Sequence, residues 1–228
     1  MFTFYTKVKS FLPNNVKRIK LVCIYAIFLF FFVLMLQITL QYIPIRLDAA
    51  FLAIKQSYID IIPWRVAFFT HVFTSMFALL AGFTQFSTWF LKKYKSAHRW
   101  MGRIYAMDIL FITGPASFIM SLYANGGLSS RIAFTTLSVL WIFTTAKAWQ
   151  LAKQKKFIEH RNYMMRSYAL TVSAITLRAW KWLFVILFHP RPMDVYQIVA
   201  WVGWVPNILL VEWMIYRYAL KAKQKNLG

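Results

Sequence analysis

Long apolar runs constrain this chain more than any other feature. Six of them recur along its 228 residues, at roughly 21–42, 66–91, 100–124, 132–151, 163–188 and 196–220. A helix needs about 20 apolar residues to cross the hydrocarbon core of a bilayer. The spacing therefore predicts an all-α bundle of six transmembrane helices. Residues are 60% hydrophobic and only 14% charged, whereas a soluble domain keeps about a quarter of its residues charged. The expectation is a single membrane domain over 1–228, with the lipid bilayer as its main partner and no separate soluble domain.

The charge pattern gives the bundle an orientation. A net charge of +21 on a soluble domain would suggest nucleic acid. Here the charges sit in short clusters between apolar runs, which is the pattern of loops facing an anionic leaflet, so no nucleic-acid partner is expected. One side collects Lys7, Lys9, Lys17, Arg18 and Lys20 from the leader and Lys92, Lys93, Lys95, Arg99 and Arg103 after the second run. It also collects Lys147, Lys153, Lys155, Lys156, Arg161 and Arg166 after the fourth, and Arg217, Lys221, Lys223 and Lys225 from the tail. The other side has Arg46, Lys55, Arg65, Arg131 and Arg191. Positive charge stays inside, so both termini are expected in the cytoplasm. The first run is too long for a secretory signal, and Gln41-Tyr42-Ile43-Pro44 is no cleavage site, so it reads as a retained helix. Residues 43–65, with Asp48, Asp60 and Trp64, read as a short amphipathic helix on the outer surface. The lone Cys23 allows neither an intramolecular disulfide nor a cysteine metal site.

The second and third runs resemble the fourth and fifth. Arg65-Val-Ala-Phe-Phe-Thr70 opens one pair and Arg131-Ile-Ala-Phe-Thr-Thr136 the other. Each pair then reaches a His-Arg dipeptide. His98-Arg99 is followed by Arg103, Tyr105 and Ala106; His160-Arg161 is followed by Arg166, Tyr168 and Ala169. Both units run in the same direction, so a duplication would be parallel. Helices two to five would form a four-helix core with helices one and six flanking it.

These residues also carry a family likeness. His71, Gly82-Phe83-Thr84-Gln85, Ala97 to Tyr105, His160 to Leu170 and Thr176-Leu177-Arg178 together resemble the bacterial membrane family called domain of unknown function 2306. The likeness covers about 66–185, with Tyr163 where the family is expected to have Trp. It implies a multi-pass protein of the bacterial cytoplasmic (inner) membrane and brings no established activity.

Ionisable residues inside spans are costly and mark candidate sites. Arg103, Asp108, Arg166 and Glu212 fall in the inner half, with Asp108–Arg166 and Glu212–Arg103, or the swapped pairing, as expected ion pairs. His71, Arg178 and Lys181 form an outer cationic group whose only nearby acid is Asp60. Gly114-Pro115 and Pro206-Asn207 interrupt two spans, and proline leaves a helical carbonyl unpaired.

Three functional readings stay open. In the first, His98 and His160 are the axial ligands of one b-type haem, their only metal role, with Arg99, Arg103, Arg161 and Arg166 neutralising its propionates. The layout looks like one half of the two-haem membrane cytochromes built on a four-helix core, and the chain would then be an oxidoreductase component. A second haem is not expected, because the repeat equivalent of His71 is Leu137 and only His189 could pair with it. In the second reading the same His-Arg pairs hold or pass an anionic lipid, a quinone or quinol, or a small anion. In the third the chain is a structural or assembly subunit beside a partner membrane protein. Asp108 and Glu212 could serve as acid and base, but no nucleophile accompanies them, and the catalytic residues and substrate stay unassigned.

Overall fold

The computed structural model describes residues 14–86, 88–189 and 192–227. Lys7, Lys9 and Arg191 of the charge count lie outside the described residues, as do the side chains of Lys17, Arg18, Lys20, Phe83, Thr84 and Lys225. Every regular element among the described residues is helical. In chain order these are α1 (Asn14–Leu40), α2 (Ile62–Gln85), α3 (Thr88–Lys93), α4 (Lys95–Asp108), α5 (Gly114–Ser121), α6 (Gly127–Lys153), α7 (Phe157–Phe188), α8 (Pro192–Val202) and α9 (Val205–Leu227). Five segments are long and apolar enough to cross a membrane: Ile62–Ala81, Lys95–Ser121, Gly127–Lys153, Phe157–Phe188 and Asp194–Gln224. The first run contributes a shorter apolar helix, Tyr25–Leu40, within α1.

Lipid tails are as apolar as leucine, so helices in a membrane associate through close packing of small residues and through hydrogen bonds. The burial pattern follows that rule. Ala78, Ala133, Ala148, Ser130, Ser167 and Thr145 are buried between helices, while Phe77, Phe111, Trp182 and Leu209 face outward. The most extensive pairing is α6 along α7; α5 lies against α2 and α6, α4 against α2, and α1 against α2. The central core joins Ala78, Ala81, Tyr105, Ile109, Trp141, Leu170 and Trp204.

The matching Arg motifs of the two units occupy matching places. One groove is lined by Arg65, Val66, Phe69 and Thr70 with Ile45 and Leu47. The other is lined by Arg131, Ile132, Thr135 and Thr136 with Leu122 and Leu128. The first four residues of each lining are equivalent positions in the two sequence units.

The third span is broken by a change of helical register. Between α4 and α5, Ile109–Thr113 form a π-helix. A Cβ on Gly114 would come within 2.1 Å of the Ile109 carbonyl oxygen and 2.8 Å of Ile142 Cγ1, so the turn accepts only glycine. Pro115 then begins α5 at a position whose N–H has no partner to lose. The last span breaks at Gly203-Trp204, and Pro206 lies in the first turn of α9, again where proline is tolerated. The Thr176 hydroxyl donates to the Gly203 carbonyl at 2.5 Å, and the Asn207 amide donates to Thr176 Oγ1 at 2.9 Å and to the Ala169 carbonyl at 3.2 Å.

The stretch before α2 corrects an expectation. It forms two 3-10 turns, Ala50–Ile54 and Gln56–Tyr58, instead of an amphipathic surface helix. Tyr42, Leu52, Ile59, Trp64 and Phe68 form a buried cluster here, joined by Met120 at the C-terminal end of α5 and Tyr123 just past it. The segment folds inward because its large apolar residues find partners there. Lys55 is carried with it, at 2% exposure. Its ammonium donates to the Tyr123 carbonyl and lies 4.7 Å from the Tyr58 ring centre. Burial, with the Arg131 charge, lowers its pKa from 10.5 to about 8.

That depression carries a sign. Below about pH 8 both folded and unfolded chains hold the proton, and the folded state carries the full penalty of burying charge. Between about 8 and 10.5 only the unfolded chain stays protonated, so stability rises with pH across that window. Melting curves in detergent should show the wild type gaining on Lys55→Met between those pH values. Parallel pH profiles for the two proteins would contradict it.

Candidate functional site

The two histidines singled out by the repeat occupy the same place in their helices. Each is the fourth residue of its helix. Each backbone N–H makes the first intrahelical bond, His98 to the Tyr94 carbonyl at 3.0 Å and His160 to the Lys156 carbonyl at 2.9 Å. Both side chains are half-buried, and they lie within electrostatic reach of each other. Because α4 packs chiefly on α2 and α7 chiefly on α6, the two histidines belong to different helix pairs. Both helices begin before the expected spans, so each histidine stands one turn inside its helix.

The two rings differ in their partners. His160 Nδ1 lies 2.8 Å from the Ala148 carbonyl oxygen. A carbonyl only accepts, so Nδ1 carries the proton, and the neutral ring keeps its lone pair on Nε2. His98 Nδ1 is buried with no hydrogen-bond partner. Gln85 Nε2 and Asn162 Oδ1, at the same end of α2 and α7, are also buried without partners. Gln85 Oε1 lies 3.3 Å from where a Cβ on Gly102 would stand, so α2 meets α4 one turn above His98.

A hydroxyl network sits directly inward. Residues three and four apart share a helix face, which aligns His98 with Gly102 and Tyr105, His160 with Ser167 and Thr171, and Trp141 with Thr145 and Ala148. The Tyr105 hydroxyl bonds Ser167 Oγ at 2.7 Å and Thr171 Oγ1 at 2.8 Å. Ser167 Oγ also bonds Thr145 Oγ1 at 2.7 Å, and Trp141 Nε1 donates to Thr171 Oγ1 at 3.0 Å. Three spans are thus tied at one buried point. Sequence reasoning quoted Tyr105 and Ser167 inside the motifs but gave them no role. The missed signal was their spacing, seven residues past each histidine and so on its helix face.

Of Arg103, Asp108, Arg166 and Glu212, one pair forms among the described residues, in the swapped arrangement. Arg166 grips Glu212 through Nε at 2.5 Å and Nη2 at 2.8 Å, because it faces α9. Arg103 instead packs its guanidinium 5.9 Å from the Trp100 ring centre. Arg161 packs 5.0 Å from the Tyr218 ring centre, and Arg99 is exposed, with a long 3.4 Å contact to the Lys95 carbonyl. Among the described residues Asp108 pairs with no cation, contrary to expectation. It points into the π-helix, where Thr113 Oγ1 donates to its Oδ1 at 2.5 Å and its Oδ2 is buried without a partner. Thr113 Oγ1 also bonds Thr74 Oγ1 at 2.7 Å.

Farther out, His71 Nδ1 bonds Ser117 Oγ at 2.7 Å, and that hydroxyl donates to the Thr113 carbonyl at 2.8 Å. The His71 partner is therefore serine, while His189 caps α7 in a left-handed conformation, φ 44°. Arg178 donates to the Ala174 carbonyl of its own helix at 2.7 Å, and Lys181 is exposed. Among the described residues no three His, Cys, Asp or Glu side chains gather as a metal site.

Comparison with known proteins adds one finding. A family model described as predicted membrane protein (DUF2306) matches residues 68–220, which is more than half of the chain. No curated protein and no solved structure matches.

The Tyr105 knot can be tested without knowing any ligand. Tyr105→Phe removes one hydroxyl from a buried network inside the bundle and should cost about 1 kcal/mol, read as a lower midpoint of unfolding in detergent. An unchanged midpoint would show that the knot contributes nothing to stability.

Proposed function

The chain belongs to the DUF2306 family of predicted membrane proteins, and on that premise we propose that it is a six-span bacterial inner-membrane protein holding one b-type haem between His98 and His160. In this reading α1 supplies the first span, both termini are cytoplasmic, and the histidines face the cytoplasmic leaflet. Spans two to five form the core, with α1 and α8–α9 flanking it. Haem b supplies a one-electron carrier, so the protein would move electrons as part of an oxidoreductase system.

The observation that carries the proposal is the pair itself. His98 and His160 are each the fourth residue of their helices, α4 and α7, and lie within electrostatic reach of each other, and axial ligation asks for one imidazole from each of two helices. His160 has the ligand arrangement in which Nδ1–H is anchored on a carbonyl and Nε2 is left free. His98 Nδ1 lacks any protein partner. Arg99, Arg103 and Arg161 pair with no carboxylate among the described residues and could neutralise propionates. Arg166 is already held by Glu212, so it would act through the helix packing and not on the cofactor.

A second reading is favoured by the unpartnered Gln85 Nε2 and Asn162 Oδ1. In it, the same cluster hydrogen-bonds the head group of a quinol or an anionic lipid.

Reduced-minus-oxidised difference spectra on protein purified after expression with haem supply separate the two. Soret and alpha bands at near-stoichiometric level are expected, and each of His98→Ala and His160→Ala should abolish them while still eluting as a folded species. A wild type without bands would end the haem reading. Co-purified quinone or acidic lipid in that case would favour the second.

A further inference from the structure

Asp108 stands at the midpoint of the third span, Lys95–Ser121, about 20 Å of helix from either end. Its side chain is buried, and neither ion pair among the described residues involves it. A carboxylate has room for about four hydrogen bonds. Among the described residues Asp108 meets one hydroxyl at Oδ1 and nothing at Oδ2. An ionised acid so poorly served in a membrane interior is costly, and such a group escapes the cost by keeping a proton.

The hydrogen-bonded row at the π-helix points the same way, because its protons can be counted. Three oxygen–oxygen contacts run in series. Asp108 Oδ1 lies 2.5 Å from Thr113 Oγ1, Thr113 Oγ1 lies 2.7 Å from Thr74 Oγ1, and Thr74 Oγ1 lies 2.7 Å from the Thr70 carbonyl oxygen. All three are hydrogen-bond distances, and each asks for a proton between its oxygens. A hydroxyl has one proton, while a carbonyl or a carboxylate has none, so the two threonines supply two. With an ionised Asp108, Thr113 donates to the carboxylate and Thr74 serves either Thr113 or the Thr70 carbonyl. One contact is then left as lone pairs facing each other at 2.7 Å. With a proton on Oδ1, the row runs from Asp108 to Thr113, to Thr74, to the Thr70 carbonyl, and every contact is filled. The neighbouring row closes without an extra proton: Ser117 donates to the Thr113 carbonyl, and His71 Nδ1 donates to Ser117.

The elements packed on this turn bring no cation to the acid. The titratable groups are Arg65 and His71 on α2 and Arg131, Lys147 and Lys153 on α6, while α5 has none. On α4 itself the basic residues stop at Arg103, and Tyr105 lies one turn before Asp108. His71 is engaged with Ser117, and Tyr105 with Ser167 and Thr171. None of the cations pairs with Asp108 among the described residues.

We propose that Asp108, Thr113 and Thr74 form a mid-span proton-binding site, in which Asp108 is a carboxylic acid that holds one proton at neutral pH. The ligand is the proton itself, and its release leaves a carboxylate that hydrocarbon does not solvate. The site uses neither His98 nor His160, so it stands whether or not the haem reading does.

Infrared difference spectroscopy of the purified full chain, wild type against Asp108→Asn, tests it. A protonated carboxylic acid has a carbonyl-stretch band of its own. The remaining Asp and Glu residues are exposed, and exposed carboxyls are ionised at about pH 7. Wild type at that pH should therefore show the band and Asp108→Asn should lack it. Thr113→Val removes the acceptor of the proton and should move the band, and an unmoved band there would overturn the row. Should Asp108→Asn fail to fold, wild type grown with isotope-labelled aspartate carboxyl decides, because the band must move with the label. The proposal is overturned if wild type lacks the band, or if the band survives Asp108→Asn or ignores the label. It is equally overturned if sodium, against choline, raises the melting temperature of a wild type without the band and leaves Asp108→Asn unmoved, since those oxygens would then hold a metal cation.

Discussion

Every polar group in the interior of this bundle has to find its partner inside the protein, because hydrocarbon offers none. That requirement organises the structure more than apolar packing does. Tyr105, Trp141, Thr145, Ser167 and Thr171 satisfy one another and tie three spans at one level. Thr176 and Asn207 do the same where the last span breaks. Arg166 and Glu212 hold α7 to α9. Among the described residues, groups that escape this accounting stand out: His98 Nδ1 and Gln85 Nε2 at one end and Asp108 Oδ2 in the middle.

The all-helical architecture was legible because a run of some 20 apolar residues has few other uses. Arg65 and Arg131, paired by the sequence motifs, line grooves of similar composition, and His98 and His160 open their helices with the same bond. What the sequence hid were matters of direction. Asp108 and Arg166 lie at compatible depths, but depth does not say which face of the helix a side chain occupies, and the two point to different neighbours. Residues 43–65 carry the composition of a surface helix, yet the aromatic cluster around Trp64 and Phe68 draws the segment inward. Gly114-Pro115 announced a break, but the π-helical form of the break depends on the Ile109 carbonyl and Ile142, which no local pattern encodes.

At the histidine end of the bundle, imidazole and amide groups of His98, Gln85 and Asn162 are left without partners among the described residues, which suits a ligand that is coordinated or hydrogen-bonded. Farther along the same spans, the π-helix places Asp108, Thr113 and Thr74 in one hydrogen-bonded row.

The central claim is that His98 and His160 act together on one iron. Near-infrared magnetic circular dichroism of the oxidised protein tests it most directly, because the charge-transfer band of low-spin ferric haem reports the identity of both axial ligands. The account predicts a low-spin bis-histidine signature. A high-spin spectrum, or a low-spin band of any other ligand pair, would contradict it.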